Sequence, residues 1–156
     1  MTTIRLAEPS DITGLERLLK QIAALHHNGR PDIFKQGGQK YTSAALEKML
    51  NYDDFPIFVA ADEKGELQGY CFCQLRSRDH PVIRNYLCLF IDDFCVDESL
   101  RGQGIGKQLF AAVKEYAQKQ EVYNIELNVW AFNKSAVKFY ESFGFKVKTM
   151  GMELML

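Results

Sequence analysis

Three glycines, at positions 102, 104 and 106, lie in the segment VDESLRGQGIGKQLF, directly before an apolar run with helical spacing. The first N–H groups of a helix have no partner within it, and the helix dipole places partial positive charge at that end. Glycines have no Cβ atom, so an anion such as a pyrophosphate could rest directly on those N–H groups. The segment therefore predicts the binding of a phosphorylated ligand. The alternative is a tight turn from strand to helix that binds nothing.

Two common phosphate-binding motifs do not fit this spacing. A P-loop needs glycine five positions before the Gly-Lys pair and Ser or Thr after it, but Arg101 and Gln108 stand there. A dinucleotide fingerprint needs its third glycine at the position of Lys107. The pattern that remains is Arg101-x-x-Gly104-x-Gly106 between a predicted strand and a predicted helix.

Together with NKSAVKFYESFGF at residues 133–145, this segment resembles the GCN5-related N-acetyltransferase (GNAT) family. The family's Arg/Gln-x-x-Gly-x-Gly/Ala motif is matched by Arg101, Gly104 and Gly106. The family's later helix, which runs from Asn to Tyr and is followed by Gly-Phe, is matched by Asn133, Ala136, Tyr140, Gly144 and Phe145.

The resemblance implies that the ligand is acetyl-CoA, the acetyl donor. Its pyrophosphate would lie on the backbone of residues 102–107, and main-chain groups of residues 94–96 would meet its pantetheine arm. The implied cofactor-binding residues are Phe94, Cys95, Val96, Arg101, Gly102, Gln103, Gly104, Ile105, Gly106, Lys107, Asn133 and Ala136.

Acetyl transfer to an amine requires a neutral amine, a stabilised oxyanion and a proton for the leaving thiolate. By the resemblance, Tyr140 is the acid that protonates the thiolate. The alternative is that Tyr140 is only a packed aromatic beside Phe139 and Phe143. No cysteine of the motif region has a visible histidine partner, so we expect direct transfer within a ternary complex.

The general base is not evident from the sequence. Many relatives carry glutamate at the position of Asn128, whose amide cannot accept a proton. Alternation would send Asp92 and Asp93 to opposite faces of their strand. The replacement bases considered are Asp92, Asp93, Glu126, His26 and His27. The expected acceptor contacts are His26, Asp92, Asn128 and Trp130, and Phe132 could line the same pocket. Each could instead be an ordinary surface or core residue, and water could relay the proton.

The elements that must position these residues follow from hydrophobic periodicity. We predict a strand at 3–7, helices at 11–29 and 43–50, and strands within 56–77 and 86–96. We also predict a helix after the glycines, a strand at 123–129 and a helix that begins at Asn133 and is ended by Gly144. Closing strands are predicted in FKVK and MELML. The fold class is α/β, with a GNAT-like mixed central sheet of six to seven strands and about four helices on both faces, in a single GNAT domain at 1–156.

Composition narrows the functional classes. The chain has 156 residues, of which 47% are hydrophobic and 25% charged, and its net charge is −1. The balanced charge does not favour a nucleic-acid partner, and no apolar run is long enough to span a membrane. Without a secretory leader, the four cysteines are expected to be reduced in a cytoplasmic protein. Cys71 and Cys73 could share a metal, but no second ligand pair has suitable spacing, so we predict none.

The partner class stays open at this level. The loop HHNGRPDIFKQGG carries charges of both signs, so the acceptor is a small-molecule or peptide amine of undetermined identity. Ends such as MGMELML often pair across subunits in the family, which favours a homodimer. The alternative function is a non-catalytic acyl-CoA-binding sensor or partner-docking module, which would turn over no amine.

Overall fold

A computed structural model describes residues 1–156. The helices are α1 (Ile12–Gly29), α2 (Ser43–Met49), α3 (Ile105–Lys119) and α4 (Lys134–Ser142). The strands are β1 (Thr3–Leu6), β2 (Ile57–Ala61), β3 (Leu67–His80), β4 (Ile83–Val96) and β5 (Asn124–Leu127). Short 3-10 turns at Pro9–Asp11 and Glu98–Leu100 precede α1 and the glycine segment. The predicted order of elements is confirmed up to α4.

The five strands form one mixed sheet in the order β1-β2-β3-β4-β5. All neighbours are antiparallel except β4 and β5, which are parallel and are joined through α3. A parallel pair needs a long crossover connection, and the amphipathic α3 supplies it. This parallel β-α-β unit places the glycine segment at the carboxyl end of β4.

Helices cover both faces of the sheet, as predicted, and each face has its own hydrophobic core. On one face α1 and α2 bury leucines at helical spacing, among them Leu15, Leu18 and Leu46. On the other face α3 buries Leu109 and Val113 against the sheet. β4 contributes Cys95 to the first core and Leu89 and Ile91 to the second, so both faces of this strand are packed. No helix is both long enough and apolar enough to cross a membrane.

The expected closing strands are not present, so the prediction of six to seven strands is wrong. Residues 146–156 contain no helix or strand, and the side chains of Val147 and Leu154 are 74% and 84% exposed. Alternating apolar residues form a strand only where they pair with a sheet edge, and residues 146–156 pair with neither outer edge of this sheet, at β1 or at β5. The segment is held by polar contacts instead: Lys148 donates to the hydroxyl of Tyr86, and Arg30 donates to Glu153.

Candidate active site

Two glycines of the turn before α3 have left-handed backbone. The φ angles are 81° at Gly102 and 83° at Gly104, and a Cβ at either position would meet nothing within 4 Å. Residues other than glycine rarely adopt this backbone conformation. Gly102 and Gly104 therefore shape the turn and leave open space in front of it.

The N–H groups in front of that space are free. Within the chain, the backbone N–H groups of residues 102–107 have no acceptor. The first helical hydrogen bond of α3 runs from the N–H of Gln108 to the carbonyl of Gly104, at 3.1 Å. Six consecutive donors at the positive end of a 15-residue helix form a cradle suited to a pyrophosphate.

The lack of a side chain at Gly106 has a different physical cause from the one predicted. It is buried in the first turn of α3, and a Cβ there would lie 3.0 Å from two ring carbons of Phe139. The absence of a side chain lets α4 pack closely against α3. Gly106 thus serves helix packing, whereas Gly102 and Gly104 face open space.

The carboxyl-terminal part of β4 has an open edge beside this turn. β4 pairs with β5 only from Cys88 to Ile91, whereas its pairing with β3 continues to Val96. Residues 92–96 therefore leave one main-chain edge without a strand partner. The Sγ of Cys95 lies 3.8 Å from the carbonyl oxygen of Leu18, so its side chain is turned toward α1. Arg101 is exposed and donates from Nε to the carbonyl of Val96 at 3.4 Å.

A β-bulge places two carboxylates on one side of β4. Phe72 pairs with Asp93, but the next residue of β3 pairs with Ile91, so Asp92 is an extra residue in β4. The Nζ of Lys40 lies 3.1 Å from Asp92 Oδ2 and 3.9 Å from Asp93 Oδ2. The expectation that Asp92 and Asp93 face opposite ways is therefore wrong, because the bulge interrupts the alternation.

The two carboxylates differ in their surroundings. Asp92 accepts hydrogen bonds from the hydroxyl of Tyr41 on its side chain and from Lys40 on its main-chain carbonyl. The side chain of Asp93 is only 9% exposed. Burial raises the pKa of Asp93 to about 6, against the opposing effect of Lys40. Asp93 is therefore a carboxylate that can exchange a proton near neutral pH.

A cavity of about 530 Å³ lies between β4, α1 and α4 and is lined by nine of the residues considered from the sequence. Apolar side chains form more than half of its lining. The predicted residues that line it are His26, Asp92, Asp93, Phe94, Asn128, Trp130, Asn133, Ala136 and Tyr140. His27 and Glu126 do not line it. The Nδ1 of His27 contacts the carbonyl of Phe34 at 2.8 Å.

Glu126 belongs to a separate ion-pair network. It accepts from Arg78 at 3.1 Å and from the hydroxyl of Tyr86 at 2.7 Å, and it lies 3.1 Å from Lys148. Burial alone would raise the pKa of Glu126, but the hydrogen bonds from Tyr86 and Lys148 outweigh it and lower the pKa to about 2. A carboxylate so firmly ionised and occupied is a poor general base, so Glu126 is structural.

Tyr140 enters the cavity from α4, whose ends match the sequence prediction. Asn133 caps the helix by accepting from the N–H of Ala136 at 3.3 Å. Gly144, at φ 94°, follows its last turn. The ring of Tyr140 contacts the ring of Phe94 across the cavity, with centroids 6.3 Å apart. Burial raises the pKa of Tyr140 well above its usual value, so the phenol is protonated at neutral pH.

Aromatic side chains line the outer part of the cavity. The rings of His26 and Phe34 stack at 4.9 Å, and Phe34 meets Trp130 edge to face at 4.9 Å. Phe132 lies behind them and packs against Gly29. Burial and the nearby Lys40 lower the pKa of His26, so its ring is neutral at pH 7. This wall favours an apolar or aromatic group next to the carboxylates.

Sequence reasoning missed three residues of the loop between α1 and α2. Phe34, Lys40 and Tyr41 all contact predicted site residues, but the loop has no periodicity that would reveal their orientation. No group of three or more His, Cys, Asp or Glu side chains is placed to hold a metal ion. Cys71 and Cys73 have sulfurs 3.6 Å apart and are buried.

Comparison with known proteins identifies relatives. A family model described as the Acetyltransferase (GNAT) family matches residues 21–145. The chain is 25% identical over 150 residues to the [Ribosomal protein bS18]-alanine N-acetyltransferase of Escherichia coli, covering 96% of this chain and 84% of that protein. It also matches two uncharacterized N-acetyltransferases, of whose lengths it spans 36% and 44%.

Solved structures show the same fold. A mutant of the BH1408 protein from Bacillus halodurans has a TM-score of 0.94 with 31% identity, over 99% of each chain. The aminoglycoside N-acetyltransferase AAC(6')-Iy, solved in complex with CoA, has a TM-score of 0.75 with 19% identity, over 99% of this chain and 98% of that one. The second likeness concerns the fold alone.

Proposed function

Because the chain belongs to the Acetyltransferase (GNAT) family and is an N-acetyltransferase, we propose that it moves the acetyl group of acetyl-CoA directly to an amine within a ternary complex. One observation carries this proposal. The cradle of free N–H groups at residues 102–107 opens beside a cavity that contains both a buried carboxylate and a phenol.

The residues present fit acetyl-CoA. A pyrophosphate needs several converging donors and no side chain in front of them, which residues 102–107 offer. The open main-chain edge of residues 94–96 suits the amide groups of a pantetheine arm. Asn133 and Ala136 line the cavity next to this edge. Bound there, acetyl-CoA supplies the activated acetyl group.

Asp93 is the general base in this proposal. An amine attacks a thioester only as the neutral form, so its ammonium must lose a proton first. Asp92 and Asp93 attract an ammonium into the cavity, as the position of Lys40 illustrates. Asp93 is suited to take this proton near neutral pH, because burial raises its pKa to about 6. It accepts the proton directly or through one water and passes it to solvent.

Tyr140 protonates the leaving thiolate. It is the phenol of the cavity, and it lies on the helix that begins at the cavity-lining Asn133. A phenol of pKa about 10 gives a proton to a thiolate of pKa about 8.5 at a penalty of about 2 kcal/mol in water. Burial raises the pKa of Tyr140, and it raises the pKa of a thiolate in the same surroundings as well. The free energy of the proton transfer therefore depends on the difference between the pKa values of the phenol and the thiol.

Direct transfer is favoured over a covalent intermediate because no thiol is suited to act as a nucleophile. All four cysteines are buried. Burial raises the pKa of the Cys95 thiol to about 12 and that of Cys71 well above its usual value. The reactive form of cysteine is the thiolate, which these sites disfavour.

The acceptor is a small-molecule or peptide amine. The aromatic wall of His26, Phe34 and Trp130 suits an apolar group, and the carboxylates of Asp92 and Asp93 suit the ammonium it carries. The relative from E. coli is named as an N-acetyltransferase of an alanine in ribosomal protein bS18, which supports a peptide amine as the acceptor.

The exposed carboxyl-terminal segment favours a homodimer. Met150, Met152, Leu154 and Leu156 are all more than two-thirds exposed and follow one another at alternate positions. Such a row is typical of a surface that a second copy covers. Light scattering should give twice the monomer mass, and the double variant Met152→Glu/Leu154→Glu should give 17.9 kDa. A wild-type monomer would contradict this proposal.

Turnover tests the proposed function. Release of free CoA thiol is followed with acetyl-CoA and a panel of amines that includes alanine peptides, aryl-alkyl amines and simple alkyl amines. We expect amine-dependent release that is lost in Gly104→Glu. Tight binding of acetyl-CoA without turnover of any amine would instead favour the non-catalytic binding module.

A further inference from the structure

Lys40 occupies the acceptor position of the cavity. Its Nζ donates to the main-chain carbonyl of Asp92 at 3.0 Å, and it lies 3.1 Å from Asp92 Oδ2 and 3.9 Å from Asp93 Oδ2. The ammonium also lies 5.6 Å from the ring centre of Tyr41. This is the arrangement of an acceptor ammonium held by the carboxylates that would deprotonate it.

Lys40 shares this cavity with the residues proposed for the chemistry. Asp93, Phe94 and Tyr140 line the same space of about 530 Å³, so Lys40 lies in the cavity proposed to receive the acetyl group. Lys35 also lines the cavity but forms no ion pair with a carboxylate. Of these two lysines of the loop, only Lys40 therefore has its ammonium next to a carboxylate that could accept its proton.

We propose that Lys40 is a self-acetylation site: in the absence of an external amine, the protein transfers one acetyl group from its own bound acetyl-CoA to Lys40 Nζ. This inference rests on the proposed function. Lys40 Nζ gives one proton to the carboxylate pair and attacks the acetyl carbonyl. The new bond joins Nζ to the carbonyl carbon, the carbon–sulfur bond breaks, and the CoA thiolate takes a proton from Tyr140. The second proton that Nζ loses returns Tyr140 to its phenol form. The products are an acetamide, free CoA thiol and one proton released to solvent.

Self-acetylation has a defined consequence for the site. The acetamide carries no charge, so it cannot keep the ion pair with Asp92 and Asp93. The loop would then be held there only by neutral contacts, such as the hydrogen bond from Tyr41 to Asp92. An external amine would compete with Lys40 for the same carboxylates and would slow the modification.

The experiment incubates the purified protein with acetyl-CoA and locates new acetyl groups by peptide mass spectrometry. We expect one group, on Lys40, at a first-order rate that does not depend on protein concentration. Lys40→Arg should remain unlabelled, while Lys64→Arg, the same change at an exposed lysine outside the cavity, should be labelled as in wild type. Gly104→Glu should lose the label at Lys40 as well.

Three results would overturn the inference. One is an unlabelled Lys40 in protein that binds acetyl-CoA and acetylates external amines, which would leave the proposed function intact. Another is equal labelling of Lys40 in Gly104→Glu or in denatured protein, which would mean chemical acetylation. The third tests the ion pair of Lys40 with an amine-reactive ester, in the absence of acetyl-CoA. Lys40 should react with the ester more slowly than the exposed Lys64. The double variant Asp92→Asn/Asp93→Asn should remove that protection. Equal reactivity of Lys40 and Lys64 in wild type would contradict the ion pair.

Discussion

Replacing Asp93 with asparagine should raise stability and lower activity at the same time. Burial raises the pKa of Asp93 from 3.8 to about 6 in the folded protein. The carboxyl is protonated in both states below pH 3.8, so it contributes nothing there. Between pH 3.8 and 6 the unfolded chain releases the proton while the folded protein retains it, and stability therefore falls as the pH rises.

The full loss of stability caused by the buried Asp93 carboxylate is reached above pH 6 and corresponds to about 3 kcal/mol. Asp93→Asn has no charge to bury, so it should be more stable than wild type by up to about 3 kcal/mol at pH 8. The two proteins should differ little at pH 4. Chemical denaturation at both pH values measures this difference. In amine turnover, kcat/KM should fall by about a hundredfold to ten-thousandfold, because the variant has no base.

The matched control is Asp79→Asn, since Asp79 is exposed and its side chain forms no hydrogen bond or ion pair. It should change neither stability nor rate. A less stable Asp93→Asn at pH 8 would refute the burial argument. An Asp93→Asn protein with wild-type kcat/KM across the pH range would refute the assignment of Asp93 as the base, and His26 would become the next candidate.

Two further predictions concern a residue proposed for catalysis, Tyr140, and a residue with a structural role, Glu126. Tyr140→Phe should lower kcat by about tenfold to a thousandfold with little change in KM for acetyl-CoA, and a full-rate variant in steady-state assays would mean that water protonates the thiolate. Glu126→Gln should leave kcat unchanged but lower the free energy of unfolding by about 2 kcal/mol at pH 7, because Arg78 and Lys148 lose a charged partner. The stabilisation by Glu126 in wild type should be lost as the pH falls from 4.5 toward 2, and denaturation curves that show no such loss would contradict it.

The sequence predicted the elements that depend on local pattern. Leu15, Leu18 and Leu19 mark the buried stripe of α1, and Asn133 and Gly144 delimit α4 through capping chemistry that is read from residue type. The glycine turn was found because its spacing is unusual before a helix. In each case the physical cause lies within a few residues of the feature.

The parts that were missed depend on partners distant in the chain. The bulge at Asp92 is a matter of register against β3, which the sequence of β4 does not contain. Gly106 is explained by the ring of Phe139, and the closing strands are absent because residues 146–156 do not pair with the outer edge of β1 or β5. Lys40 reaches the carboxylates from an irregular loop 52 residues before Asp92, a contact that no periodicity could indicate.

Binding of acetyl-CoA to a pair of glycine variants tests the central claim most directly. Gly104 and Gly65 have φ angles of 83° and 85° and open space around the Cβ position, so Gly104→Glu and Gly65→Glu carry the same backbone strain. Only Gly104 stands among the free N–H groups before α3. Calorimetry should show that Gly104→Glu loses more than about a hundredfold in affinity, or about 2.7 kcal/mol, while Gly65→Glu binds like wild type. Equal affinity of the two folded variants would contradict the placement of acetyl-CoA on the glycine turn.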